Sequence, residues 1–505
     1  MKTILLTSCL IAALSLFGSS NKANAQIVNI PDANFKAYLL GNTSINTNAD
    51  GEIQTSEAIA YTGDMSASGL NISDLTGIEA FSNITTLYCG GNLLTSLNLS
   101  GTASLQRLYC EGNSLSSLNL TSNTALQYLS CGNNLLTSLN ITGLTALTEI
   151  TCYQNHLTSI DAHTNTALQY LTCNNNLLTS INVDGLTSLL DLNCEYNQLA
   201  TINVSTNTGL TSFDCDYNLL TSLNISADTA LTYFSCYDNQ LTNLTMNGLA
   251  SLNYLECGHN NFTSLNFSGL GLNSLTEIDC GENNLSGGLN IDGLTSLTDL
   301  GCWHAQLTNL DISTNVGLES LYCVGNSLSS LNVGNLSALY EIYCDSNQLA
   351  SLDLTANTNL YAVNCGHNPL TVLNLKNGNN TNIGVFDASN NPDLNCIQVD
   401  DAAWSTSHWT YIDPWASFNT NCAYGINEVS ESSLSSYPNP VINNLTIESK
   451  GNVAIEILNS EGQTIKEFKT VDNKLIVDLS DLSSGIYLLK ATNDKGIIIR
   501  KFIKE

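Results

Sequence analysis

Residues 105–120 read Leu105-Gln106-Arg107-Leu108-Tyr109-Cys110-Glu111-Gly112-Asn113-Ser114-Leu115-Ser116-Ser117-Leu118-Asn119-Leu120. The spacing recurs along the chain. Cysteines stand at 89, 110, 131, 152, 173, 194, 215, 236, 257, 280, 302, 323, 344 and 365, and eleven of the thirteen intervals are 21 residues, the others 23 and 22. An apolar residue lies five before each cysteine (Leu105, Leu126, Leu168), another two before (Leu108, Leu129, Leu171), and another five after (Leu115, Leu136, Leu178). Asparagine stands three after in thirteen of the fourteen units, and Ala305 is the exception. A fixed period near 20 is the signature of a solenoid, because one coil cannot bury its apolar side alone and stacked coils share a core.

The unit L-x-x-L-x-C-x-x-N-x-L is similar to the leucine-rich repeat, with cysteine in the third leucine's place. The resemblance covers residues 84–375, with weaker coils around Ser68 and Asn71 and around Phe386, Ala388 and Asn391, about sixteen coils in all. The segment at each cysteine alternates inside and outside and is expected to be a strand. Parallel strands stacked at about 4.8 Å give an array of roughly 75 Å. The back of each coil, such as Leu118-Asn119-Leu120, is too short for a full helix and is expected to be extended or turned. The predicted fold is mostly β, a solenoid followed by a small β-sandwich. Buried amides need partners, so the asparagines are expected to close the turn after each strand. Ala305 should leave a hole, a water or a local distortion.

Fourteen thiols in one chain invite a disulfide or metal reading. Equivalent positions of in-register strands stand about 4.8 Å apart, whereas bonded cysteines bring their Cβ atoms to about 3.8 Å. No C-x2-C pair occurs among the ladder cysteines. The ladder is expected to be core, buried thiol acting as a small hydrophobe.

Outward positions lie three before, one before and one after each cysteine, bordered by the residue two after. They hold thirteen aromatics: Tyr88, Tyr109, Tyr128, Tyr153, Tyr170, Tyr196, Tyr217, Tyr233, Tyr237, Tyr254, Trp303, Tyr322 and Tyr343. Fourteen acids accompany them, including Glu111, Glu149, Asp191, Glu195, Asp214, Asp216, Glu256, Glu277 and Asp279, and Arg107 is the only Arg or Lys there. Tyrosine supplies rigid contact area and a hydroxyl at low entropic cost. It also favours strands for packing reasons alone, and acids also keep a long solenoid soluble. The concentration of aromatics at these positions favours recognition of a protein or a glycan. The resemblance implies the same face, since leucine-rich-repeat proteins commonly bind partners there. Residues 266–306 are irregular, with extra residues near Gly269-Leu270-Gly271 and Gly287-Gly288 and a broken pattern at Trp303, His304 and Ala305. Such insertions carry function or are neutral loops, and both readings stand.

The chain has 505 residues, 44 acids against 14 bases, a formal charge of −30, and only 11% charged residues. Such a chain buries a large core and is not disordered. An acidic surface excludes nucleic acid. Lys2, the apolar stretch Ile4–Phe17 and Ala23-Asn24-Ala25 read as a signal peptide over residues 1–25, with ordinary cleavage preferred to lipidation at Cys9. That apolar run is too short to span a membrane.

Residues 26–64 are expected to cap the front of the solenoid, which occupies 65–395. Asp32-Ala33-Asn34-Phe35 opens a short helix, and residues 46–57 look like an EF-hand loop, with Asn46, Asn48, Asp50, Glu52 and Glu57 as candidate calcium ligands. Asn46 stands where aspartate is usual, and a plain polar turn is the equal alternative. At the rear, residues 396–422 leave the register. Cys396 and Cys422 are expected to form a disulfide there, bracketing Trp404, Trp409 and Trp415, which would cover the last coil.

Residues 423–436 read as a polar linker, and residues 437–505 as short alternating strands. Tyr437-Pro438-Asn439-Pro440, Leu482-Ser483-Ser484-Gly485-Ile486-Tyr487 and the basic end Lys501-Phe502-Ile503-Lys504 resemble the type-A C-terminal sorting domain of the type IX (Por) secretion system. That resemblance implies passage across the outer membrane, removal of the domain, and often attachment to surface lipopolysaccharide. The leading expectation is a non-catalytic recognition or adhesion protein, secreted or at the cell surface. The alternatives are a secreted polysaccharide hydrolase, for which Asp214 and Asp216 would be a candidate pair, and a structural surface coat.

Overall fold

The computed structural model describes residues 26–422, 434–449, 453–459, 463–469, 474–493 and 496–505. Residues 1–25, read as a signal peptide and containing Cys9, and residues 423–433, read as linker, lie outside the described residues. Two compact units emerge. One comprises the residues up to 371 with 377–393 and 409–414, and the other comprises 372–376, 394–408 and 415–505.

The first unit is built on a 16-stranded parallel sheet. Its strands are mostly three residues long, as in Arg107–Tyr109, and end just before the cysteine. Each pairs in register with the next, Leu108 beside Leu129 and Leu129 beside Ile150. Backbone bonding continues past the strand, Cys110 N to Ser130 O at 2.8 Å and Gly112 N to Gly132 O at 3.0 Å. Every second side chain therefore points inward, and Leu105, Leu108, Cys110, Leu115, Leu118 and Leu120 are all buried. Each such leucine contributes roughly 2 kcal/mol. The back is extended or turned, as expected. Short pairs such as Ser159–Asp161 with Ser180–Asn182 appear there, and the outermost coils run from Met65–Ser66 to Val385–Asp387.

The asparagines close the turns. Asn113 Nδ2 donates to the carbonyls of Cys89 and Cys110 at 3.0 and 3.1 Å, and its Oδ1 accepts Leu94 N at 3.0 Å. One amide thus ties a rung to its predecessor. The last staple, Asn391, is itself held by Asp413, whose carboxylate accepts the Asn390 and Asn391 amides. At Ala305 the outcome is a local distortion. The Ala305 carbonyl accepts Leu285 N at 2.8 Å in place of an amide oxygen, and both His304 and Gln306 take positive φ.

All fourteen ladder cysteines are free and buried. Burial, the leading cause at every rung, pushes the thiols well above their ordinary pKa, and neighbouring thiols or acids add to it at Cys110 and Cys215. Cys110 Sγ donates weakly to Ser130 O.

A second polar ladder runs along the back, unforeseen from the sequence. Thirteen residues after the cysteine, Asn123, Asn165 and Asn207 are fully buried, alternating with Leu144 and Leu186. Asn207 Nδ2 donates to Val183 O and Leu186 O at 2.9 and 3.1 Å. The next position is Asp228, also fully buried, and neither of its carboxylate oxygens has a hydrogen-bond partner. By register its side chain belongs beside the carbonyls of Val204 and Asn207, and only a protonated carboxyl has a hydrogen to give them. Burial alone raises its pKa to about 7.

In the second unit, Val372–Asn374 pairs with Cys396–Gln398, which pairs with Ser417–Asn419. Cys396 and Cys422 are disulfide-bonded, as expected. Trp409 belongs to the first unit. Trp409 stacks on Phe386 at 4.3 Å and donates to Ile383 O, so it covers the last rung of the long sheet. Trp404 stacks on His408 within the helix Ala402–His408, and Trp415 is 52% exposed. The C-terminal part is an antiparallel sandwich of three and four strands around Leu445, Ile447, Ile455, Val477, Leu489 and Phe502. Its first strand, Leu434–Tyr437, pairs with Asn444–Ser449, so residues read as the end of the linker belong to the sheet.

Two outcomes are expected. A thiol reagent should label the ladder slowly or not at all in the native protein, as followed by intact mass, and rapid modification of many thiols would contradict the buried core. Between pH 4 and 7 the native state holds the Asp228 proton that the unfolded chain has released, so this group makes stability fall as pH rises through that window. Asp228→Asn restores a donor and should stabilise the protein by about 1–3 kcal/mol at pH 8, with a flatter pH profile in denaturant titrations.

Candidate binding face on the parallel sheet

In-register pairing stacks like positions into columns. In the column before the cysteine, Tyr88 stacks on Tyr109 at 4.5 Å. Tyr109 packs on Tyr128, one column over, at 4.6 Å. Arg107 lies directly beside Tyr128 in register. Tyr233 stacks on Tyr254 at 4.8 Å, and Tyr322 on Tyr343 at 5.1 Å. Tyr196 and Tyr217, two after their cysteines, stack at 4.1 Å. Both take positive φ, like most residues in that column, because the chain turns sharply there to reach the asparagine. Tyr170 and Tyr196 are the most exposed of these rings, at 43% and 45%. Tyr153 fits because Gly132 on the preceding rung has no side chain: a Cβ there would stand 2.5 Å from the ring.

The acids gather in the middle of the sheet. Asp216 accepts from Ser235 Oγ at 2.5 Å and from Tyr237 N at 2.7 Å. Burial first, then the charge of Asp214, pushes its pKa up to about 7. Asp214 rises to about 6, by burial and by Glu195, Glu256 and Asp191, against a bond from Asp216 N. Glu195 accepts from Asn174, Glu256 from the Tyr254 hydroxyl at 2.7 Å, and Glu111 from Ser130. Burial also raises Glu149. Tyr322 donates to Glu341, and Trp303 Nε1 to Asp279 at 3.3 Å. Sequence reading did not find His259 between Asp238 and Glu282, 3.1 and 3.8 Å away. The signal was available, since its offset from the cysteine fixes its column.

The front cap holds the EF-hand-like loop between the helices α1 (Ala33–Gly41) and α2 (Thr55–Ala60). Asp32 caps α1 through the Asn34 and Phe35 amides. Glu57 accepts from Thr47 N, Thr47 Oγ, Asn48 N and Gln54 N, so the loop closes on its own acid. Glu52 pairs with Lys36 at 2.7 Å. The tips of Asn48, Asp50 and Gln54 meet within 3.0 Å of one another, and Asn46 Oδ1 is buried without a partner. Among the described residues no three His, Cys, Asp or Glu side chains stand together as a metal site. A cation here would rest on amide and carbonyl oxygens with Asp50, a donor set that suits a hard ion such as calcium.

Residues 435–505 match the secretion system C-terminal sorting domain. The functional domain of InlJ from Listeria monocytogenes, which includes a cysteine ladder, is 22% identical and superposes with a TM-score of 0.62 over 95% of this chain and 100% of that one. An internalin, InlF, from Listeria monocytogenes is 21% identical over 74% of this chain and 96% of its own, with a TM-score of 0.46. The leucine-rich effector YopM from Yersinia pestis is 22% identical over 65% and 86%, with a TM-score of 0.45. No curated protein matches the chain. The solenoid is thus a leucine-rich-repeat fold with a cysteine ladder, and the tail is a type IX sorting domain that addresses the chain to the cell surface or the medium. No helix among the described residues is long and apolar enough to cross a membrane.

Proposed function

We propose that this chain is a non-catalytic recognition or adhesion protein that binds an extracellular protein or glycan through the outer face of its parallel sheet. The observation that carries this reading is the stacking of half-buried and exposed tyrosines in register along that face, among acids that form no lysine or arginine ion pair among the described residues. Arg107, Tyr109, Tyr128, Glu149, Tyr153, Tyr170 and Asp191 would form one end of the surface, and Trp303, Tyr322 and Tyr343 the other. Pre-stacked rings lose little side-chain freedom on contact. The sorting domain engages the type IX machinery. We further propose that it is removed on export, leaving the solenoid released or attached to lipopolysaccharide. The cap loop of Asn46, Asn48, Asp50, Glu52 and Glu57 is proposed as a calcium-stabilised turn, supported by the partnerless Asn46 oxygen.

A polysaccharide hydrolase is the second reading, favoured by one observation. Asp214 and Asp216 stand two residues apart on one rung, burial raises both, and the charge of Asp214 adds to the rise at Asp216, the setting in which a carboxyl pair can hold a proton for acid and base work. Both lie on the open sheet face rather than in a closed reaction site.

The full chain should bind on a protein or glycan array, and replacing Tyr196 and Tyr217 together by alanine should weaken a face-directed ligand about ten-fold without changing the melting temperature. Silence on both arrays would leave a structural coat. Polysaccharide cleavage abolished by Asp216→Asn would establish the hydrolase instead. Millimolar calcium should raise the melting temperature by several degrees and slow proteolysis of the front cap. No shift in either would leave the loop a plain polar turn.

A further inference from the structure

The irregular rungs around Cys280, Cys302 and Cys323 open a notch of about 400 Å3 in the outer face, lined by Asp279, Gly301, Trp303, His304, Tyr322 and Val324. Three glycines shape it. A Cβ on Gly281 would stand 2.6 Å from the Trp303 ring, so the indole lies flat over the preceding rung only because that position is glycine. Gly301 leaves the place beside Asp279 without a side chain, and Gly325 makes room for the His304 ring. The walls are fixed. Asp279 Oδ1 accepts Gly281 N at 2.9 Å and Oδ2 accepts Trp303 Nε1 at 3.3 Å. The Trp303 and His304 rings meet edge to face at 6.0 Å. Tyr322 is anchored by its hydroxyl to Glu341.

Charge surrounds this aromatic slot on one side. Glu256 lies directly beside Asp279 on the neighbouring rung, and Glu277 directly beside Asp299. Like charges placed opposite one another on paired strands are destabilising. None of the four forms an ion pair with a lysine or arginine among the described residues. The fold thus holds an indole face, a phenol and four crowded carboxylates around an empty width of one side chain. A flat cation fits that chemistry, since it stacks on the ring and relieves the carboxylates together. A neutral sugar would use the ring but not the charge, and an anionic one would be repelled.

We propose that this notch receives an arginine side chain from a protein partner, stacked on Trp303 and paired to Asp279. The inference rests on the recognition reading of the same face and sharpens it to one class of partner, a basic protein segment. Arginine takes the place before lysine because its planar fork can stack and pair at once.

Fluorescence anisotropy of a fluorescein-labelled Gly-Gly-Arg-Arg-Gly-Gly peptide, titrated with the full chain at low salt, reads the site directly. Saturable binding is expected, weakened about ten-fold or more by Trp303→Ala and by Asp279→Asn and much less by Trp303→Phe, with melting temperatures unchanged. The same peptide with lysines should bind more weakly. Equal affinity in the Trp303→Ala protein would overturn the notch, and a loss in the Tyr196→Ala, Tyr217→Ala protein in its place would leave the wider face standing. Array binding without any saturable peptide binding would likewise overturn the notch alone. Displacement of the peptide by a neutral oligosaccharide at equal or lower concentration would assign the slot to a sugar and overturn it.

Discussion

The side-chain amide three residues beyond each cysteine is the constraint on which the solenoid depends. A 21-residue coil must leave its strand abruptly, and the residue before the asparagine turns through a left-handed conformation to do so, as Gln154 and His259 show. That turn takes carbonyls out of reach of ordinary ladder partners while burying them. Asn155 Nδ2 answers by donating to Cys131 O and Cys152 O, and its Oδ1 receives Leu136 N. A buried carbonyl left without a donor costs about 1–3 kcal/mol. Each staple needs the preceding rung to be complete, so coil closure and coil stacking are one event. The stacking therefore fixes register, and register places outward side chains in columns.

Columns explain the electrostatics of the face. Strand pairing brings Asp191 onto the rung next to Asp214 and Asp216, and Glu256 two rungs beyond them, whatever their mutual repulsion. Burial together with that repulsion holds Asp214 and Asp216 up near neutral pH. Hydroxyl and amide donors relieve part of it: Ser235 and Tyr237 at Asp216, Tyr254 at Glu256, Tyr322 at Glu341. Tyrosines beside acids therefore have an internal role as well as an outward one. Asp228 follows the same logic on the back, where an acid occupies an amide's place without the hydrogens an amide supplies.

Much of this was legible in the sequence because a solenoid is nearly one-dimensional. The period alone implied the parallel sheet, the buried thiols, the staples, an irregularity at Ala305 and the columns of outward rings. What escaped reading had other causes. Asn123, Asn165 and Asn207 recur every second coil, so their signal is halved in a single-coil alignment and looks like surface polarity. Trp404 and Trp415 lie close in sequence to Trp409, but only tertiary packing decides which ring meets Phe386. Leu434–Tyr437 is a strand because Asn444–Ser449 offers it an edge, and nothing in its own composition of serines says so. The notch at Trp303 depends on missing side chains two rungs apart, a feature of space rather than of any one motif.

The irregular segment shows how a repeat fold accommodates novelty. Its two long intervals, 23 and 22 residues, do not disturb the front sheet, where Tyr254 still pairs with Glu277 and Glu277 with Asp299. The extra residues are absorbed behind and at the turn, where Leu265 N reaches Gly288 O and Gly287 N reaches Thr263 O. Loop length added on the solvent side is entropically cheap, whereas a shift of register would turn a whole rung inside out. Only composition changes on the front: glycine at 281, 301 and 325, tryptophan at 303, and alanine where a staple belongs at 305. The loss of that staple is local because a backbone carbonyl replaces the amide oxygen. The same rungs that forgo the regular pattern are the ones that present an indole over an open slot, so the departure from the repeat and the notch at Trp303 are a single structural event.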